Sequence, residues 1–154
     1  MRWKLFSPIL LLACLTFTGC RKIQDPEFKR IDHLGIKNWS FQNATVGFSV
    51  TYFNPNNFGV SVKEAEADVY LDSSYLGKFT QDSTVDVKGN SDFSIPFSGT
   101  ISLQTALNMN LDSLARKDVL LKADGFVKVG KAGIYITRPI HYEGLHRLDE
   151  IRLQ

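Results

Sequence analysis

Residues 44–57 read Ala-Thr-Val-Gly-Phe-Ser-Val-Thr-Tyr-Phe-Asn-Pro-Asn-Asn. Ala44, Val46, Phe48, Val50 and Tyr52 alternate with Thr45, Gly47, Ser49 and Thr51, a period of two that marks a strand with one face in a core. The alternation then stops at Asn54-Pro55-Asn56-Asn57. Pro55 fixes its own φ and lacks an N–H, and it pushes Asn54 toward extended backbone. Asn56 and Asn57 tolerate left-handed geometry and can bond their own chain two residues on. Gly59 adds a permissive position before Val60 and Val62 resume the pattern. The stretch predicts a strand, a locally satisfied turn and a second strand.

The same alternation recurs through Ala65, Ala67, Val69 and Leu71, through Phe93, Ile95, Phe97 and Ile101, and through Val119, Leu121, Ala123, Val127 and Val129. Residues 134–142 form a further strand, edged at Pro139, which cannot donate to a ladder. Polar outer faces on period-two strands belong to antiparallel sheets. Asp72-Ser73-Ser74, Lys88-Gly89-Asn90-Ser91 and Gly130-Lys131-Ala132-Gly133 supply the turns. One segment differs: Leu103, Leu107, Leu111 and Leu114 share a helical face, with Ser102 as N-cap, predicting a helix over about 102–115. These elements predict an all-β, antiparallel β-sandwich with one short α-helix.

The front of the chain predicts its location. Arg2 and Lys4 precede a mostly apolar run, Leu5 to Phe17, too short to span a bilayer and suited to a signal peptide. It ends in Phe17-Thr18-Gly19-Cys20, which resembles the lipobox of bacterial lipoproteins, with Phe17 in place of the usual Leu. That resemblance implies cleavage after residue 19, lipidation of Cys20 and membrane attachment. The expected organisation is a signal peptide at 1–19, a lipidated Cys and tether at 20–30, a folded domain at 31–147 and a tail at 148–154. Cys14 leaves with the signal, so Cys20 stands alone and no internal disulfide or cysteine zinc site is possible. Of the 18 basic and 16 acidic residues, Arg2 and Lys4 also leave. The remaining signs balance, which gives no electrostatic case for nucleic acid.

Asn54-Pro55-Asn56 followed by Gly59, Val62, Val69-Tyr70-Leu71 and Leu76-Gly77 resembles the late embryogenesis abundant type 2 family, whose module is the water stress and hypersensitive response (WHy) domain. Ser73-Ser74 stands where a glycine is commoner. The resemblance covers residues 31–147 and implies a fibronectin-III-like sandwich, no catalytic residues, and an association with desiccation or envelope stress.

Chemistry-bearing patterns are sparse. Gly125 to Lys131 approaches a phosphate-binding loop, but Ala132 lacks the oxygen needed for Mg²⁺ and the flanks alternate as strands, so it reads as a hairpin. Glu64, Glu66 and Asp68 share one strand face; a straight strand cannot converge them on one ion, and they read as a solvated acidic face. His33, His141 and His146 lack zinc-ligand spacing. No nucleophile elbow occurs. Trp39, Phe41, Tyr75, Phe79 and Phe126 could stack on a sugar if clustered and exposed, or cover the ends of the core. The reading is a non-enzymatic envelope lipoprotein without cofactor or metal, structural, protective or bound to an envelope protein partner. The alternative is a small carbohydrate- or peptide-binding module.

Overall fold

Each alternating run becomes a strand in the computed structural model, which describes residues 22–108 and 118–147. In chain order these are β1 (Glu27–Trp39), β2 (Asn43–Asn54), β3 (Val60–Leu71), β4 (Ser74–Gln81), β5 (Val85–Val87), β6 (Ser91–Ser102), the helix α1 (Leu103–Asn108), β7 (Asp118–Lys131) and β8 (Ile134–Arg147). All pairings are antiparallel, in the order β1-β2-β6-β4-β3-β7-β8, with β5 added beside β3. Over the described residues the chain is an all-β antiparallel β-sandwich with one short helix.

The two layers, β1-β2-β6 and β4-β3-β7-β8, are continuous at one corner. There β4 leaves β3 and pairs with β6 through Phe79↔Gly99 and Gln81↔Phe97. Gly99 permits the crossing, because a Cβ on it would lie 2.5 Å from the Phe79 ring. At the opposite side β1 and β8 end the order and share no ladder. One part of the core is closed by Val62, Val87 and Ile95, with Phe93, Val127 and Val129 packed against them. A smaller cluster joins Val119 and Leu71 to Leu76 and Leu121.

Several expectations need correction. Strand pairing begins at Glu27, within the span read as tether, because Glu27 and Phe28 already pair with Phe53 and Tyr52. Ser102 does cap α1, accepting the Thr105 N–H at 3.0 Å, but the helix is described only as far as Asn108. Leu107 is exposed rather than packed inward, so a leucine stripe facing the core does not hold there. Leu111 and Leu114 lie outside the described residues, as do the signal segment, Cys20 and the 148–154 tail. The β7–β8 turn uses positive φ at Ala132 and Gly133, the backbone twist that two-residue hairpins require. Pro139 sits in β8, an edge strand, as its missing N–H demands.

Candidate functional site

Between the layers lies a cavity of about 460 Å³. Its walls are the inward phases of the strands: Val46, Phe48 and Val50 from β2, Ala67 and Val69 from β3, Ala123 from β7. Ala67 and Ala123 are the shortest side chains of this lining, and interiors otherwise pack nearly without voids. Among the described residues no charged side chain lines the cavity, and the only polar ones that do are Tyr52 and Tyr142. A dry apolar cavity of about 150 Å³ already takes up benzene, and this one falls within the roughly 300–1,000 Å³ typical of ligand sites.

The unpaired seam between β1 and β8 contributes Ile31 and Ile36 on one side and Ile140 and Tyr142 on the other. Phe28 closes one end of that seam. Its ring lies 6.0 Å from those of Tyr52, Tyr142 and His146, yet Phe28 remains 39% exposed, as a lid over an opening would be. The Tyr142 hydroxyl is hydrogen-bonded to His146 Nε2. Burial raises the Tyr142 phenol above its ordinary value; burial, then the nearby Tyr142, raises Tyr52. Both therefore stay neutral donors at physiological pH.

The second feature is the Asn-Pro-Asn segment, where the structure revises the simple turn. Asn54 is buried and fully bonded. Its Nδ2 donates to the Phe58 and Lys88 carbonyls, each at 3.0 Å, and its Oδ1 accepts from Asn56 N–H at 3.1 Å and Asn56 Nδ2 at 3.0 Å. Neither Asn56 nor Asn57 uses positive φ, and nor does Gly59. Gly59 is needed for close approach instead: a Cβ there would meet the Val87 carbonyl oxygen at 2.5 Å. Asn56 bonds distant chain, with its carbonyl accepting from Asn90 N–H at 2.8 Å and its side chain pairing with Gln24. The segment, with Pro55 at its bend, is a junction of three chain segments rather than a locally satisfied reversal.

The other singled-out residues stay apart. Glu66 pairs with Lys78 at 2.6 Å and Asp68 accepts from the Tyr75 hydroxyl at 2.8 Å. No group of acidic, histidine or cysteine side chains among the described residues could hold a metal. His141 contacts Asp124 at 2.6 Å on an exposed face, and His33 sits at a β-bulge with φ 57°. His146 belongs to β8. Phe79 is core and Phe126 half-buried, whereas Trp39 and Phe41 are exposed beside the β1–β2 turn and Tyr75 on β4. No described ring contact joins them into one patch.

No family model matches the chain, and no curated protein does. Among solved structures it is similar to a protein from Archaeoglobus fulgidus, with a TM-score of 0.50 and 9% identity over 79% of this chain and 97% of that one. It is also similar to AT1g01470 from Arabidopsis thaliana, with a TM-score of 0.49 and 13% identity over 80% of each chain. At such identities the first likeness concerns the fold alone. Among the described residues no helix is long and apolar enough to cross a membrane.

The cavity was not legible beforehand, although its signals were present. Phe28 lies within the span expected to be tether and Ile31 opens the expected domain, and a period of two marks the alanines of β3 and β7 as inward without regard to their size.

Proposed function

We propose that this chain is a bacterial envelope lipoprotein, anchored through Cys20, whose late embryogenesis abundant type 2-like sandwich works without catalysis by holding an acyl chain between its layers. The uncharged 460 Å³ cavity carries this reading. Each methylene buried there contributes about 0.8 kcal/mol, so a chain gains affinity with length, and the absence of charged lining disfavours sugars and ions. Tyr52 and Tyr142 supply the few polar groups that could orient a carboxyl or ester near the opening. A protective role against envelope stress would follow from sequestering or buffering lipid.

The test is uptake of a fluorescent or isotopically labelled long-chain fatty acid by the folded protein, compared with Ala123→Phe, which fills the void. Saturable binding by wild type and its loss in a folded Ala123→Phe variant is the expected result. Equal binding by both would refute the cavity as the site.

A further inference from the structure

Asn56 holds the segment that leads to the expected anchor. Its Nδ2 donates to the Gln24 carbonyl at 2.7 Å, and its Oδ1 accepts from the Gln24 N–H at 2.9 Å. This is the two-bond exchange that one strand residue makes with its neighbour, made here by a side-chain amide across 32 positions of sequence. The amide cannot swing freely, because Nδ2 also donates to Asn54 Oδ1 and the Asn56 backbone is bonded to Asn54 and Asn90. Gln24 is therefore docked on the sandwich rather than trailing from it.

The consequence is metric. Only Arg21, Lys22 and Ile23 lie between Gln24 and Cys20, so the backbone of Cys20, the residue expected to carry the lipid, can lie at most about 13–14 Å from that of Gln24. In the other direction Phe28, the lid over the β1–β8 seam, is four residues from Gln24. Ile23 is 71% exposed beside the clamp, an apolar side chain with no protein surface to cover it. Clamp, exposed Ile23 and lid thus share one end of the molecule, next to the anchor.

We propose that the Asn56–Gln24 clamp sets the sandwich on the bilayer with its Phe28 end down, so that a phospholipid acyl chain passes from the membrane into the cavity through the β1–β8 seam. This rests on the two readings above, Cys20 as anchor and the cavity as an acyl-chain site. The occupant is a bilayer lipid rather than the protein's own anchor, since two chains hold a protein to a membrane and one is marginal. Withdrawing an anchor chain into the cavity would undo the attachment that positions the seam.

The experiment uses the full lipidated protein in phosphatidylcholine vesicles doped with a phospholipid carrying a diazirine on its acyl chain. Three proteins are compared: wild type, Asn56→Ala, and a variant with a flexible Gly/Ser spacer of about ten residues between Lys22 and Ile23, which by itself adds roughly 16–19 Å of coil. The spacer keeps every clamp bond and guards against a folding defect in Asn56→Ala. Photolysis should attach phospholipid to the Phe28–Ile36 and Ile140–Tyr142 peptides of wild type, and several-fold less to both variants. The same diazirine chain given as a free fatty acid should label all three equally. Vesicle labelling unchanged in both variants would overturn the clamp's role while leaving the cavity intact. Failure of wild type to take up even the free fatty acid would overturn the cavity itself, and labelling confined to the Cys20 chains would overturn bilayer lipid as the occupant.

Discussion

Asn54 and Asn56 look equivalent in sequence, flanking one proline, yet they carry different loads. Asn54 is 4% exposed and makes four hydrogen bonds to three residues, so Asn54→Ala removes them all, although the Lys88 carbonyl keeps the Ser91 hydroxyl as a donor at 3.0 Å. Each lost bond costs about 0.5–1.5 kcal/mol, and the variant should lose roughly 2–4 kcal/mol in urea denaturation. Asn56→Ala removes more exposed bonds and should lose about 0.5–1.5 kcal/mol. A larger loss at Asn56 than at Asn54 would invert this ranking. A break in the strand pattern was readable from Pro55 and its neighbours. The partners were not, because Lys88 is 34 positions from Asn54 and Gln24 is 32 from Asn56, and nothing local announces such pairs.

Strands, by contrast, declare themselves. Their inward phase was visible wherever one face is buried, since a slip of one residue would expose the whole apolar set. What the period could not show was irregularity. β1 pairs with β2 through three register shifts, and these bend an edge that a regular pattern leaves straight. Nor did it show how that edge is fastened on its outer side. Lys37 reaches from β1 across Gly47 of β2 to bond Ser98 of β6 at 2.7 Å and Asp82 at 2.6 Å. Gly47 gives it room: a Cβ there would lie 2.2 Å from Lys37 Cε. Partial burial pushes the Asp82 carboxyl up, but the bonds from Lys37 and Ser98 and the Lys37 charge outweigh it, and the net shift is downward. A carboxyl lowered in the folded state stabilises above its unfolded value, and that stability fades as pH falls through the folded one. Because Lys37 is half exposed, the strap is worth no more than about 1 kcal/mol. Lys37→Met should therefore cost up to that amount at neutral pH and progressively less below the ordinary carboxylate range. A penalty that persists undiminished in acid would assign the effect to packing of the lysine stem over Gly47.

For the whole molecule, the cavity sets stability and binding against each other. A void forfeits contacts its lining would otherwise make, so the empty sandwich is less stable than its burial pattern allows. Ala123→Leu, aimed into the void from β7, adds about three methylene-sized groups at roughly 0.8 kcal/mol each. Strain and imperfect fit reduce the gain, and about 1 kcal/mol of added stability is expected in delipidated protein. With ligand the order should reverse. A chain bound only by the folded state adds about 2.7 kcal/mol when present at a hundred times its dissociation constant, and the filled variant forgoes it. Thermal unfolding of the two proteins, each stripped of lipid and then titrated with a long-chain fatty acid, should show curves that cross: the variant ahead without ligand, wild type ahead with it. If the leucine destabilises the stripped protein as well, the space between the layers is already occupied by packed side chains and is no site. If it stabilises at every ligand concentration, the space is real but holds nothing.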